Sequence, residues 1–218
     1  MQKRVFRNSA TDGGCSRLVA IRSMDEIKID NKEMEFLALI PARYASTRFP
    51  GKPLAMIGGK PMVQHVVEKA AAVSENVYVA TDDGRIYDCV IGFGGKAVMT
   101  SAEHRSGTDR CYEAYRHVVE QTGKKYDVVV NIQGDEPFIQ PEQVKALVAC
   151  FEDDKVEIAT LAKRFEQNAD IFDPNKVKVV CSAKGTALYF SRSAIPFCRG
   201  IEKENWLEMI PFYKRVGM

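Results

Sequence analysis

Between Phe36 and Val67 the chain carries no carboxylate, yet it holds Arg43, Arg48, Lys52 and Lys60. Arg43, Arg48 and Lys52 fall in one stretch, Pro41-Ala-Arg-Tyr-Ala-Ser-Thr-Arg-Phe-Pro-Gly-Lys-Pro53. Cations without local counter-charges attract a polyanion, and Ser46, Thr47 and backbone N–H groups can add hydrogen bonds to phosphate oxygens. Arginine brings a bidentate fork, lysine a point charge. A solvated basic loop is the other reading of the same charges. The stretch contains neither G-x-x-x-x-G-K-[ST] nor G-x-G-x-x-G, so it is not a Walker loop or a dinucleotide fingerprint.

A second group of interest is Gln133-Gly-Asp-Glu-Pro137. Gly134 permits a turn or a close approach. The carboxylate of Asp135 can hold Mg²⁺, which takes one or two carboxylates together with substrate phosphates and water. Alternatively, Asp135 and Glu136 are turn residues. Opposite a phosphate-binding loop, the metal reading gains weight. The run Ser106-Gly107-Thr108 carries a helix-capping signal, with Thr108 as the expected cap, which is compatible with contact to a base. The histidines at 65, 104 and 117 are assigned no chemistry, and Tyr112 and Tyr115 are expected to pack on the core.

These groups need elements to position them. Phe36 to Ile40 is an apolar run ended by Pro41, and Val77–Ala80, Ala97–Met99 and Val128–Ile132 follow the same pattern, as expected of buried parallel strands. Between them lie helical patterns opened by Pro61, capped by Asp82–Asp83, and capped near Thr108; Pro141 opens another. The alternation predicts an α/β fold, a mostly parallel sheet with helices on both faces. After Glu157 the rhythm turns to strands at Ile158–Ala162, Val177–Cys181 and Ala187–Ser191, which predicts a β-rich addition at the sheet's edge. Open sheets of this kind bind ligands beyond the C-terminal ends of their strands, where both groups described above fall.

Composition narrows the classes. The chain has 218 residues, 45% hydrophobic and 28% charged, enough for one domain with a core. Its net charge of +2 gives no reason to expect nucleic acid or an anionic membrane as partner. Six cysteines at 15, 89, 111, 150, 181 and 198 form no C-x-x-C pair and suit reduced thiols in a cytoplasmic protein. The apolar runs are too short to span a bilayer. Residues 1–33 lack a signal-peptide core and read as a disordered leader, or as translation begun upstream of a start at Met34. The organised domain is expected over 34–218.

The loop at residues 40–54, Ile-Pro-Ala-Arg-Tyr-Ala-Ser-Thr-Arg-Phe-Pro-Gly-Lys-Pro-Leu, resembles the signature loop of the 3-deoxy-D-manno-octulosonate (Kdo) cytidylyltransferases. Seven further motifs follow in that family's order: Ala80-Thr-Asp-Asp83, Met99-Thr100, His104-Arg-Ser-Gly-Thr-Asp-Arg110, Asn131-Ile-Gln-Gly-Asp-Glu-Pro137, Ala159-Thr-Leu161, Lys178-Val-Val180 and Ala187-Leu-Tyr-Phe-Ser-Arg192.

The resemblance implies a Rossmann-like nucleotide-diphospho-sugar transferase fold and transfer of CMP from CTP to the 2-hydroxyl of Kdo. It implies Arg43, Lys52 and Asp135 as catalytic residues, with Asp135 holding Mg²⁺. It places Pro41, Ala42, Arg43, Ser46, Lys52, Thr81, Asp82, Arg105, Ser106 and Gly107 around CTP, and Gln133, Tyr189, Arg192 and Arg215 around the sugar. Two departures stand out. Arg215 occupies a position where the family commonly has histidine. The chain is also expected to stop short of a C-terminal segment carrying a second metal carboxylate and dimer contacts. The family's homodimer is therefore not a firm expectation, and neither is activity of the chain; another acid sugar, or a CTP-binding fragment without turnover, remains an alternative.

Overall fold

A computed structural model describes residues 19–23, 34–45 and 49–217. The strands are β1 (Val19–Ser23), β2 (Phe36–Pro41), β3 (Met56–Ile57), β4 (Lys60–Pro61), β5 (Val77–Thr81), β6 (Ala97–Met99), β7 (Val128–Asn131), β8 (Ile158–Arg164), β9 (Lys178–Cys181), β10 (Ala187–Ser191) and β11 (Tyr213–Arg215). The α-helices are α1 (Met62–Ala71), α2 (Gly84–Gly92), α3 (Gly107–Thr122), α4 (Pro141–Ala149), α5 (Asn168–Ile171) and α6 (Trp206–Met209). The chain divides into two compact units, the first built from the described residues up to 148 apart from β1, the second from β1 and residues 149–217.

The first unit is built on a four-stranded parallel sheet, in the order β6-β5-β2-β7. Strand β2 is central, and its continuous apolar sequence follows from having both faces covered. Leu37 and Leu39, both fully buried, pack with Ala80, Val98 and the Cys111, Ala114 and Val118 stripe of α3. Ala38 and Ile40 alternate with them, are equally buried, and face the other side. There α1 buries Val63, Val66, Val67 and Ala70 beside β2 and β5, and α2 buries Ile86 and Val90 beside β5 and β6. Each of the larger aliphatic side chains contributes roughly 1.5–3 kcal/mol on burial.

Helix starts follow local chemistry. Asp83 caps α2, its side chain accepting from the Arg85 N–H. The cap of α3 is Ser106 rather than the expected Thr108, because the helix begins at Gly107 and Thr108 already lies in its first turn. Gly123, in the left-handed region at φ 66°, ends that helix. Tyr115 packs on the core as expected, whereas Tyr112 is exposed.

The second unit holds a five-stranded sheet, in the order β1-β8-β11-β9-β10. Strand β11 runs antiparallel to both β8 and β9, and β9 and β10 pair antiparallel. The β-rich addition expected at the edge of the parallel sheet is thus a sheet of its own, since β8 has both of its edges taken by β1 and β11. Val19–Ser23 lies in the segment read as a disordered leader, and for these five residues that reading is corrected: they pair in parallel with Ile158–Ala162. An open strand edge presents unpaired backbone groups that a short apolar run can satisfy. The rest of that leader lies outside the described residues. The unit's core is aromatic: buried Trp206 stacks on Phe212 at 5.7 Å between ring centroids, and Phe165 and Ile171 join them. Among the described residues no helix is long and apolar enough to cross a membrane.

Candidate functional site

Strand β2 ends at Pro41 and delivers the chain into the cationic loop. The first loop residue, Ala42, is buried, and its N–H donates to the Ala80 carbonyl at 2.9 Å, so the loop's start is fixed to the end of β5. The loop closes where the Gly51 N–H donates to the Tyr44 carbonyl at 2.9 Å. Gly51 has φ 69°, and a Cβ there would meet the Tyr44 ring at 2.9 Å, so both conformation and space call for glycine. The Tyr44 ring lies under the Arg85 guanidinium, 3.4 Å from its centroid. Arg85 in turn grips Asp83 through Nε at 2.9 Å and Nη2 at 2.6 Å. That fork holds the Asp83 carboxyl below the usual carboxylate range.

Lys52 opens a short 3-10 turn, Lys52–Leu54, anchored by buried Pro53. Its Nζ donates to Asp135 Oδ2 at 2.8 Å. The loops after β2 and β7, neighbours in the sheet, therefore meet through the cation and the carboxylate singled out in the sequence. Their backbones are also close: a Cβ on Gly134 would lie 2.8 Å from the Pro41 carbonyl oxygen. A turn closed by the Glu136 N–H donating to Gln133 O at 3.2 Å presents Asp135 at the edge. Desolvation pushes the neighbouring Glu136 carboxyl upward, the Asp135 charge adds to this, and Lys52 opposes it. Gln133 turns its amide to Asn131 Oδ1 at 3.2 Å.

The N-terminus of α3 completes this edge. A Cβ on Gly107 would lie 3.3 Å from Pro41 Cγ. The Ser106 hydroxyl accepts from the Asp109 N–H at 3.1 Å and donates to Asp109 Oδ2 at 2.7 Å, so its capping role is realised. Thr81 is fully buried and its Oγ1 accepts from the Asp83 N–H at 3.2 Å, while Asp82 Oδ2 accepts from Arg110 at 2.7 Å. Arg43 and Arg105 are exposed. Thus Pro41, Ala42, Lys52, Thr81, Asp82, Ser106, Gly107 and Asp135 gather at the C-terminal edge of one sheet. Ser46 and Arg48 lie outside the described residues.

The expected absence of counter-charges does not hold throughout. Lys60 pairs with Glu68 at 2.8 Å and Lys52 with Asp135, both partners lying beyond the acid-free stretch. His65 donates to the Ile57 carbonyl at 2.8 Å and His104 is hydrogen-bonded to Glu113, in keeping with structural roles. Tyr189, Arg192 and Arg215 belong to the second unit. Tyr189 is exposed on β10. Arg192 donates to the Pro174 carbonyl at 2.8 Å, and Arg215 reaches Thr160 Oγ1 at 3.4 Å.

Sequence reasoning missed Tyr44, Arg85 and Arg110 as residues that shape this edge. Arg110 left a signal, being a charged residue on the Arg110–Ala114–Val118 row of α3, which is the row that faces the sheet.

Among the described residues, no group of three or more His, Cys, Asp or Glu side chains forms a metal cage. The turn after β7 brings Asp135 and Glu136 to the edge, while the Asp82 carboxylate there is engaged by Arg110. A half-exposed Asp135 fits a hard cation that shares its remaining positions with phosphate oxygens and water.

A parallel sheet that gathers a cationic loop, a carboxylate turn and a helix N-terminus at one edge is built to handle a nucleotide. The chain belongs to the cytidylyltransferase family, which it matches over residues 37–215. It is 54% identical to a 3-deoxy-manno-octulosonate cytidylyltransferase of Parabacteroides distasonis, over 85% of this chain and 74% of that protein. It is 48% identical to an 8-amino-3,8-dideoxy-manno-octulosonate cytidylyltransferase of Shewanella baltica, again over 85% of this chain and 74% of the relative. Among solved structures it resembles a CMP:2-keto-3-deoxy-manno-octonic acid synthetase complexed with CTP, with TM-score 0.73 and 43% identity over 84% of this chain and 72% of that one.

Proposed function

We propose that this chain transfers CMP from CTP to the 2-hydroxyl of Kdo, releasing pyrophosphate and supplying CMP-Kdo for lipopolysaccharide synthesis in the cytoplasm. The observation that carries this reading is the 2.8 Å contact between Lys52 and Asp135, which presents a cation and a carboxylate to the same point at the ligand edge of the sheet. The names of the relatives supply the nucleotide and the sugar.

In this reading the bond between the sugar's O2 and the α-phosphorus forms as the bond to the departing pyrophosphate breaks. Positioning and charge neutralisation dominate such transfers. Arg43 and Lys52 neutralise the triphosphate. Pro41, Ala42, Ser46, Thr81, Asp82, Arg105, Ser106 and Gly107 surround the nucleotide. Gln133, Tyr189, Arg192 and Arg215 serve the sugar, whose carboxylate calls for an arginine. Asp135 is the residue that would hold Mg²⁺. When bound, the metal supplies charge neutralisation at the phosphate and acidifies the attacking hydroxyl.

A second reading differs only in the sugar. The Shewanella baltica relative is named for the 8-amino-3,8-dideoxy acid, and its 48% identity lies near that of the Kdo-named relative. Pyrophosphate release from CTP and Mg²⁺, measured with Kdo, with the 8-amino sugar and with no sugar, decides among them. Release that depends on Kdo is the expected result. Release with the amino sugar alone moves the assignment to the second reading, and release with neither overturns both.

A further inference from the structure

Arg110 is 3% exposed, a guanidinium taken almost wholly out of water. Burying such a charge is costly unless its donors are matched. Here Nη2 donates to Asp82 Oδ2 at 2.7 Å and Nη1 donates to Thr100 Oγ1 at 2.6 Å. The Thr100 hydroxyl passes the connection on, donating to the Thr81 carbonyl at 3.1 Å, and the Thr100 N–H donates to the same oxygen at 2.8 Å. One side chain thus ties together the turn after β5 and the residue after β6. Because Arg110 sits in the first turn of α3, four residues after its cap, the same bonds fix that helix's N-terminus. The helix N-terminus in turn abuts Pro41 through Gly107, where a Cβ would come within 3.3 Å.

We infer that Arg110 is the positioning residue of the nucleotide site: by bridging Asp82 and Thr100 it sets the Thr81-Asp82 turn and the Ser106-Gly107 helix start in register with one another, and so determines affinity for the nucleotide rather than for the sugar. This rests on the cytidylyltransferase reading. The chemistry is specific to arginine. Its Nη1 and Nη2 are separate nitrogens held in one rigid plane and reach Thr100 and Asp82 at once, whereas a lysine would have to serve both acceptors from one nitrogen at a single point. Oδ2 of Asp82 accepts from Arg110, and a carboxylate has a second oxygen able to accept from a donor such as a ribose hydroxyl or an exocyclic amine. The bond to Asp82 is charge-assisted and nearly dry, the setting in which such a contact is strongest.

The test uses the full chain and CTP as the probe. Binding is measured by calorimetry, and initial rates are taken with each substrate varied at saturation of the other. Arg110→Gln is expected to weaken CTP binding about tenfold or more. The KM for Kdo should stay within about twofold, since the sugar contacts lie on other segments. Arg110→Lys is expected to recover only part of the loss. Asp82→Asn in the Arg110→Gln background should add little further loss, the non-additivity of two groups acting as one. If Arg110→Gln does not fold, Thr100→Val removes a single acceptor and should still raise the Kd for CTP while leaving the Kdo KM unchanged. Unaltered CTP affinity in a folded Arg110 variant, equal losses toward both substrates, or full additivity with Asp82→Asn overturns the inference. A wild-type chain that binds no CTP overturns the cytidylyltransferase reading, and this inference with it.

Discussion

Lys52 and Asp135 are 83 positions apart in sequence and meet at 2.8 Å, each on the loop that leaves the C-terminal end of a neighbouring parallel strand. Their side chains are 37% and 53% exposed. An ion pair so open to water adds little to stability, about 0–1 kcal/mol. Lys52→Ala and Asp135→Ala are therefore expected to melt within a few degrees of the parent, while sugar-dependent pyrophosphate release falls about 100-fold or more, as for loss of a charge-stabilising group at a reacting phosphate. A thermal melt beside a pyrophosphate assay checks both halves. Retained turnover in either variant removes that residue from the mechanism.

Gly134 tests how closely the two loops must approach. A Cβ there would stand 2.8 Å from the Pro41 carbonyl oxygen, a backbone atom that cannot swing aside. Gly134→Ala should cost about 1–3 kcal/mol as overpacking, and should weaken CTP binding by displacing Asp135 or Pro41. Gly84, at the start of α2, has no atom within 4 Å of a built Cβ. Gly84→Ala is the control, expected to be neutral or to stabilise by up to about 1 kcal/mol through the unfolded chain. Denaturant midpoints for the two variants should move apart. Equal midpoints would show that the loops have slack.

How far this was legible in the sequence depends on the range of the interaction. Strand β2 was readable because burial on both faces writes itself into consecutive residues, and β6 and β7 because their short apolar runs stand between turn and helix signals. The cationic loop and Asp135 were readable because strand ends in an open α/β sheet are where ligands bind. The cap of α3 was misplaced by two residues because Ser106 and Thr108 have the same capping chemistry, and only backbone geometry separates them. The pairing of Lys60 with Glu68 was missed because the turn formed by β3 and β4 folds Lys60 back onto α1. The separate sheet of the second unit rests on pairings such as Val19 with Ile158 and Lys214 with Lys178, which no local pattern encodes. The partners of Arg110 lie on other segments, yet its place on the sheet-facing row of α3 already marks it as a buried charge that needs them.

The Asp83–Arg85 pair, whose guanidinium lies over the Tyr44 ring, predicts a pH dependence of stability. The hydrogen bonds from Arg85 hold the Asp83 carboxyl below its ordinary value in the folded chain. The unfolded chain titrates it near about 3.9. The folded state thus binds this proton less readily, so the contribution is complete above about pH 4 and is lost as pH falls through the folded value. Asp83→Asn keeps a capping side chain and removes the charge. Melting curves from pH 7 down to pH 3 should show the variant less stable than the parent at neutral pH, with the gap closing at the acid end. A gap constant across that range would mean that the pair contributes only through the cap.

Lys178 offers the sharpest test in the second unit. It is fully buried in β9, and its three ammonium donors meet three backbone carbonyls, those of Asp173 at 2.7 Å, Lys176 at 2.9 Å and Arg192 at 2.8 Å. Burial pulls its pKa down, with the Asp173 carboxylate opposing. All three donors are matched, so the charge is tolerated although no carboxylate is bonded to it. Lys178→Met keeps much of the shape and removes every donor. Each buried carbonyl left unsatisfied costs about 1–3 kcal/mol, and some will recover water, so a total loss on the order of 3 kcal/mol is expected. The carbonyl of Arg192 is one of the three, so the variant should also loosen the segment carrying a residue proposed to meet the sugar's carboxylate. Urea unfolding should show a lower midpoint with an unchanged slope. At a temperature where the variant remains folded, the KM for Kdo should rise while that for CTP holds. A loss below about 1 kcal/mol would mean that the carbonyls find water without the lysine. A rise in the CTP KM alone would detach Arg192 from the sugar.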